Sequence, residues 1–375
     1  KMKSLNSIKK IIFDHIAEPI IKKKQIINED VFYDFISYRN KNPKFVKVSN
    51  SYSKKSFKKK KFILTNISIN SFGNKNIDKK FYIIRRTPGA GFFSNLTYIL
   101  GHLEIAEKYK FVPVIDMANY PTIYNEKKIL KKTYNSWEYY FKKVSKFSLN
   151  EVYKSKNVIF TSNFFEEHMP TDMSLKSEFR RLIKKYIHID LEITNKVKSF
   201  KKKYFKDSDK ILGVHFRGTT YKTARGHAFP FTKKMMKENI DNLIRKFKYN
   251  KIFLVTEEKK YLDYLIKHYG KKLIFCNVYR SNVLDAFRHY PRINHRYKLG
   301  KEILIETLLL SKCDGLTFVK SNVSSAAIAF SKKKPKLHPL FIGYNSRNKY
   351  VSKWLWYIKR ILPSWMGGFQ INLKY

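Results

Sequence analysis

Several kinds of protein are excluded by what this chain has little of. It carries only two cysteines, Cys276 and Cys313, each inside an apolar stretch. There is no CxxC and no Cys/His cluster, so neither a zinc module nor a disulfide framework is expected. Buried reduced thiols of a cytoplasmic protein are the expected state. No run reaches the ~18 apolar residues that a membrane-spanning helix needs. Near the start, Ile11-Ile12-Phe13 and Ile16 to Ile21, broken by Glu18 and Pro19, are too short and too charged for a span or a signal peptide. Acidic residues are scarce, with 29 Asp+Glu against 78 Lys+Arg and a formal net charge of +49. Such an excess brings nucleic acid to mind first. However, the excess is mostly lysine spread along the chain. An arginine-rich block and an aromatic RNA-binding consensus are both missing, so nucleic acid is not the expected partner and stands as the rival reading. Attraction to anionic substrates and anionic membrane surfaces remains. The expected location is the cytoplasm, with peripheral contact on the inner membrane.

What is present points to an α/β enzyme. The 375 residues are 43% hydrophobic, enough for a sizeable core and for two domains, since single cores split beyond ~250–300 residues. Residues 1–78 read as a basic extension, in which Lys54 to Lys61 is a charge run expected to be a solvated loop. From Phe81 the texture changes. Phe81 to Ile84 reads as a strand, Asn95 to Lys108 as a helix with Leu96, Ile99, Leu100, Leu103 and Ala106 on one face, and Phe111 to Ile115 as the next strand. That βαβ unit predicts a parallel sheet. Residues 120–205 read as mostly helical, with a short strand at Val158 to Phe160. A second α/β run begins at Ile211. The expected fold class is therefore α/β, with two facing Rossmann-like domains over 79–205 and 206–345, and a basic aromatic helix and tail over 346–375.

The most informative stretch is Ile211-Leu-Gly-Val-His215-Phe-Arg217-Gly-Thr219-Thr-Tyr-Lys222. A buried strand is expected to end near Phe216, delivering Arg217 to its carboxyl end, where open α/β sheets bind ligands. A guanidinium fork beside a glycine and two hydroxyls suits a diphosphate. The other reading is an arginine that caps a helix or pairs with a carboxylate. His227 follows on the same loop, as a phosphate ligand or a proton-transfer group. Ser321-Asn322-Val323-Ser324-Ser325 lies between a strand and an Ala-rich helix, either as a second anion cradle or as a plain N-cap. Glu306, inside an otherwise apolar helix, is placed to accept from a ribose or a guanine amine, or else faces solvent.

In the first α/β run, Gly89 and Gly91, with Asn95 opening the helix, form a glycine loop after a strand. Asp116 ends the next strand and is a general-base candidate, with Glu104 as a further guess. Trp137 to Phe141 reads as core packing before it reads as a sugar platform. His289 and His295 lie in a basic aromatic loop. Trp354 to Trp365 interleaves aromatic and basic residues, as an interfacial helix does. Its alternative is a helix that crosses back onto the N-terminal domain.

Taken in order, these pieces resemble the fucosyltransferase superfamily that includes the α-1,6- and protein O-fucosyltransferases, over roughly residues 80–335. The carriers are Gly213 to Thr219, similar to the family's His-x-Arg motif, Glu306 through Ser325, similar to its helix–strand–serine segment, and Gly91 to Asp116. The resemblance implies a GT-B fold, a GDP-sugar donor, inversion, and no metal or other cofactor. It assigns Arg217 to the β-phosphate, His215 and Glu306 to the nucleotide, and Ser321, Asn322 and Ser324 to the diphosphate. Thr219, Lys222 and Ser325 join that donor side, and Arg217, Asp116 and His227 are the catalytic candidates. The chain departs from the family between Thr219 and His227 and at Asn322. GDP-fucose is thus the default donor, with GDP-mannose, a GDP-heptose or another nucleotide sugar open. The expected acceptor is a bacterial surface polysaccharide or lipid-linked glycan, with membrane contact through 351–366. A transferase of the same fold moving a non-sugar group onto a capsular polysaccharide is the alternative.

Overall fold

The computed structural model of the protein describes residues 52–59, 62–85, 91–160, 177–281, 286–288 and 290–369. It divides into two compact units. The described part of one extends to Lys196 and takes in Arg292–Ile303, and the other holds Val197–Pro291 and the chain from Leu304 onward.

The first unit is built on strands β1 (Tyr52–Lys59), β2 (Phe62–Asn70), β3 (Phe81–Ile84), β4 (Val112–Ile115) and β5 (Val158–Phe160), in the order β1-β2-β5-β3-β4. As the apolar run Phe81 to Ile84 requires, β3 is buried throughout and pairs in parallel with β4 and β5. Helix α1 (Phe92–Tyr109) is the crossover from β3 to β4. It stops where Lys110 turns left-handed and returns its N–H to Ala106 and Glu107. The segment expected to be an extension is partly sheet. β2 pairs antiparallel with β5 through Ser68↔Phe160, Ile69↔Ile159 and Asn70↔Val158, and β1 pairs antiparallel with β2. The lysine run from Lys54 is thus strand up to Lys59 rather than loop.

A second correction concerns residues 120–148, which were expected to be helical. Here the chain is irregular, apart from a 3₁₀ turn at Ser136–Tyr139. Side-chain amides supply the reason. Asn125 Nδ2 donates to the carbonyls of Met117 and Tyr134, both at 2.7 Å, and Asn135 Nδ2 donates to that of Ile115 at 2.8 Å. Such bonds compete with a helical ladder. Helices return at α2 (Leu149–Val152), α3 (Ser177–Tyr186) and α4 (Leu191–Tyr204).

The second unit carries β6 (Ile211–His215), β7 (Lys251–Val255), β8 (Leu273–Phe275), β9 (Gly315–Val319) and β10 (Lys336–Leu340), all parallel, in the order β10-β9-β6-β7-β8. Its helices are α5 (Lys233–Phe247), α6 (Lys259–Tyr269), the part of α7 (His295–Leu310) from Leu304 onward, α8 (Asn322–Phe330) and α9 (Ser352–Ile361). Leu212, Val214, Ile252 and Leu254 of the sheet pack with Met236, Ile240 and Leu243 of α5 and Leu262 and Leu265 of α6. β10 was not expected, because lysines and Pro339 mask it. As an edge strand it tolerates the missing proline N–H. The aromatic helix α9 belongs to this unit and not to the first. Trp356 and Tyr357 pack on Phe229, and Trp356 Nε1 donates to the Pro230 carbonyl at 2.7 Å.

Candidate anion-binding site

The strand order of the second unit locates its binding edge. From β6 the chain builds outward through β7 and β8, then returns to lay β9 on the other side of β6. Where two adjacent strands run off in opposite directions, their carboxyl ends open a crevice. Arg217 follows β6 and Ser321 follows β9, so the sheet brings together the two segments singled out from sequence. Their link is direct, since His215 Nδ1 lies 3.4 Å from Ser321 Oγ. Burial, reinforced by the Arg217 charge, lowers the His215 pKa to about 3, so the ring is neutral around pH 7.

The loop after β6 is braced from beneath. The Phe216 ring stacks on Tyr261 at 3.9 Å. A Cβ on Gly218 would collide with Glu258 Oε2 and the Tyr261 ring, so only glycine fits. Thr219 has φ +32°, a strained conformation for a β-branched residue. The strain is held by its N–H donating to Glu258 Oε2 at 3.1 Å and its hydroxyl donating to Glu257. Lys222 Nζ donates to the same Glu258 oxygen at 2.7 Å, with both side chains nearly buried. Lys222 is therefore part of the brace. Glu258 was not singled out from sequence, although Thr256-Glu257-Glu258 at a strand end was its visible signal.

Arg217 sits on this brace with its guanidinium 3.7 Å from the Tyr221 ring centroid. Its side chain is 26% exposed, and its Nε lies 3.8 Å from Glu257 Oε1, too far for a hydrogen bond. That buried Nε has no hydrogen-bond partner among the described residues. The cation is thus oriented by stacking but only loosely paired, which suits an incoming anion. His227 faces solvent beside Tyr221, with ring centroids 4.8 Å apart. Its pKa is lowered by desolvation and by Arg217, which favours the neutral, proton-accepting ring.

At the other lip, Ser321 and Ser324 form a reciprocal cap. Ser321 Oγ accepts the Ser324 N–H at 3.3 Å, and Ser324 Oγ accepts the Ser321 N–H at 2.9 Å. Ser324 and Ser325 are buried, whereas Asn322, the first residue of α8, is partly exposed. The serines therefore shape the helix start, and the amides of Asn322 and Val323, which lack intrahelical partners, are the donors a ligand would meet.

Glu306, expected at the nucleotide, is half of a buried ion pair. It is buried and accepts from Arg280 Nη2 at 3.0 Å, while Arg280 Nη1 donates to the Cys276 carbonyl at 2.8 Å. The pair ties the segment after β8 to α7.

The candidates on the first unit are placed separately. Gly89 lies outside the described residues. Gly91 is the N-cap of α1, with open space where a Cβ would be, and Asn95 is buried on that helix. Asp116, the general-base candidate, is the centre of an Asx turn. Its Oδ1 accepts the N–H groups of Ala118 at 3.1 Å and Asn119 at 2.8 Å. Its Oδ2 accepts Asn119 Nδ2 at 2.8 Å and the Tyr153 hydroxyl at 2.6 Å. The carboxylate is fully buried and its pKa is raised by that burial, against the pull of these bonds. Glu104 pairs with Lys108 along α1 at 3.2 Å. Trp137, Tyr139, Tyr140 and Phe141 are core, packed around Phe92 and Tyr297. His295 is buried beside Arg292, and His289 lies outside the described residues. Among the described residues no group of His, Cys, Asp and Glu is arranged to hold a metal ion. Asp207 and Asp209, the one Asp-x-Asp near the site in sequence, precede β6 and so lie at the opposite end of the sheet.

No protein-family model matches the chain, and no curated protein matches it. Solved structures similar to it include fucosyltransferases. The NodZ α-1,6-fucosyltransferase co-crystallized with GDP is 17% identical with a TM-score of 0.45, over 66% of this chain and 91% of that one. The same enzyme from Bradyrhizobium gives 16% identity and a TM-score of 0.45, over 66% and 92%. A mutant of Arabidopsis thaliana FUT1 in complex with GDP is 12% identical with a TM-score of 0.38, over 70% of each chain. The chemistry argued for this site rests on the chain's own residues.

Proposed function

We propose that the second unit binds the diphosphate of a nucleotide sugar, and that the protein is an inverting glycosyltransferase needing no metal. The observation that carries this reading is the loosely paired Arg217 at the end of β6, facing the capped start of α8 across the point where the strand order reverses. In the reaction the bond between the anomeric carbon and the phosphate oxygen breaks, and charge develops on the departing diphosphate. Arg217 and the amides of Asn322 and Val323 stabilise that charge from fixed positions. The acceptor hydroxyl forms the new bond, and His227, neutral and on the same loop, takes its proton. The sequence resemblance makes GDP the first nucleotide to try, with fucose or a related sugar attached. The acceptor in this reading is a bacterial surface polysaccharide or glycolipid.

Thermal stabilisation of the wild type and Arg217→Ala by GDP, UDP, CMP and ADP tests the reading. Ligand that binds only the folded state raises the melting temperature by mass action. A GDP-selective rise that the variant lacks supports it, and no rise with any nucleotide overturns it. Product analysis with a bound donor then separates glycosyl transfer from transfer of a non-sugar group.

A further inference from the structure

Among the described residues, helix α9 packs one apolar face into the unit and leaves a second one exposed. Trp356 and Tyr357 point into the unit, against Phe229. On another side Val351, Trp354, Ile358, Ile361 and, past the helix end, Trp365 are exposed. From Val351 to Ile361 the spacing of three, four and three residues is that of a single helical stripe, and Trp365 follows in the 3₁₀ turn after the helix. Trp365 is 82% exposed and Ile358 45%, with Met366 and Tyr350 exposed beside them. A row of large apolar side chains open to water marks an interaction surface.

The flanking charge selects the partner. In sequence Arg347, Lys349, Lys353, Lys359 and Arg360 precede or interleave the stripe, and no Asp or Glu follows Asp314 anywhere in the chain. We infer that α9 and the turn after it dock on an anionic lipid bilayer, with the helix lying in the interface and its exposed stripe in the headgroup–acyl boundary. Tryptophan and aliphatic groups along one side, with basic groups beside them, are the composition that binds such surfaces. Lysines and arginines near the surface add attraction to anionic headgroups. The helix has 10 residues, about 15 Å of rise, half of the ~30 Å hydrocarbon core, so it lies on the membrane and does not cross it. The inference does not rest on the nucleotide reading: the Trp356 ring lies 5.2 Å from Lys222 Nζ of the brace, but no residue of the exposed stripe is assigned to the anion site.

The full chain is tested by co-sedimentation with vesicles of equimolar phosphatidylcholine and phosphatidylglycerol, and with phosphatidylcholine alone. The comparison protein carries Trp354→Ser, Ile358→Ser and Trp365→Ser, which leave every charge in place. The expected result is binding of the wild type to the mixed vesicles, a loss of about tenfold or more in the variant, and little binding of either to the neutral vesicles. Brominated acyl chains should quench wild-type tryptophan emission, a readout that needs no variant, and an unchanged melting temperature confirms that the variant folds. Equal binding of the two proteins, or no quenching, overturns the inference and leaves only diffuse attraction by the basic chain. A wild type that dimerises in solution while the variant stays monomeric also overturns it, in favour of a second copy as the covering partner.

Discussion

The ends of β4 and β6 look alike in sequence and differ in chemistry. Each strand delivers a charged residue to its carboxyl end, Asp116 in one unit and Arg217 in the other. Asp116 is fully buried, and both of its oxygens accept hydrogen bonds from its own turn and from Tyr153. Arg217 is stacked on Tyr221, reaches Glu257 only loosely and leaves its Nε unmatched. The difference teaches that position at a strand end does not make a group functional. What matters is whether its bonding capacity is already filled by the fold.

Removing each group should break the comparison in opposite ways. Asp116→Ala leaves the Ala118 and Asn119 amides and the Tyr153 hydroxyl without their buried acceptor. At about 1–3 kcal/mol for each buried group left unsatisfied, a loss near 4 kcal/mol is expected in denaturant unfolding, with the nucleotide response of the folded protein unchanged. Arg217→Ala should do the reverse. Its melting temperature without ligand should stay close to wild type, while the stabilisation of about 2.7 kcal/mol expected at a hundredfold excess of GDP over Kd disappears. If Asp116→Ala loses the nucleotide response and Arg217→Ala keeps it, the assignment of the two strand ends is inverted.

Gly218→Ala sharpens the picture of the brace. The new methyl group must displace Glu258 or Tyr261, at a cost of about 1–3 kcal/mol. Because Glu258 also holds Thr219 and Lys222, the nucleotide response should fall together with stability. Unfolding midpoints measured with and without GDP would show both losses, and a change in stability alone would separate the brace from the site.

The smallest effect is one of pH. The folded-state pKa of His215 lies near 3, below its ordinary 6.5, so the unfolded chain binds the proton more readily. The stability that the neutral ring contributes is complete above about pH 6.5 and is lost as pH falls toward 3. Relative to His215→Gln, the wild type should lose about 1 kcal/mol between pH 7 and pH 5.5. Parallel stability–pH curves for the two proteins would show that His215 titrates freely.

Much of the second unit was legible because its strands are short apolar runs and its helices keep a 3.6-residue period. Buried parallel strands between amphipathic helices leave few other arrangements. The candidate anion site was legible for the same reason, since Arg217 and Ser321 to Ser325 follow two such strands directly. The braces were not. Glu258 acts on Thr219 across 39 positions of sequence, and Glu306 meets Arg280 only because α7 passes the segment after β8. Lysines concealed β1 and β10, because edge strands tolerate charge that central strands do not. Asparagine side chains dismantled the helix expected after Asp116, by bonding to backbone that a helix would need.

By itself, then, the sequence determined the α/β class, the order of the central elements, the strongly basic charge and the loop that places an arginine at the end of β6. Those features depend on local periodicity and composition, which a chain carries whatever its partners in space. Only the tertiary structure decided which polar groups are already satisfied and which remain available. Asp116 and Glu306 are buried with their oxygens bonded, Arg217 is loosely paired, Trp356 went into the core and Trp365 out to solvent. The physical reason is that the free energy of a polar or apolar side chain depends on what the fold places against it, and those neighbours come from distant parts of the chain.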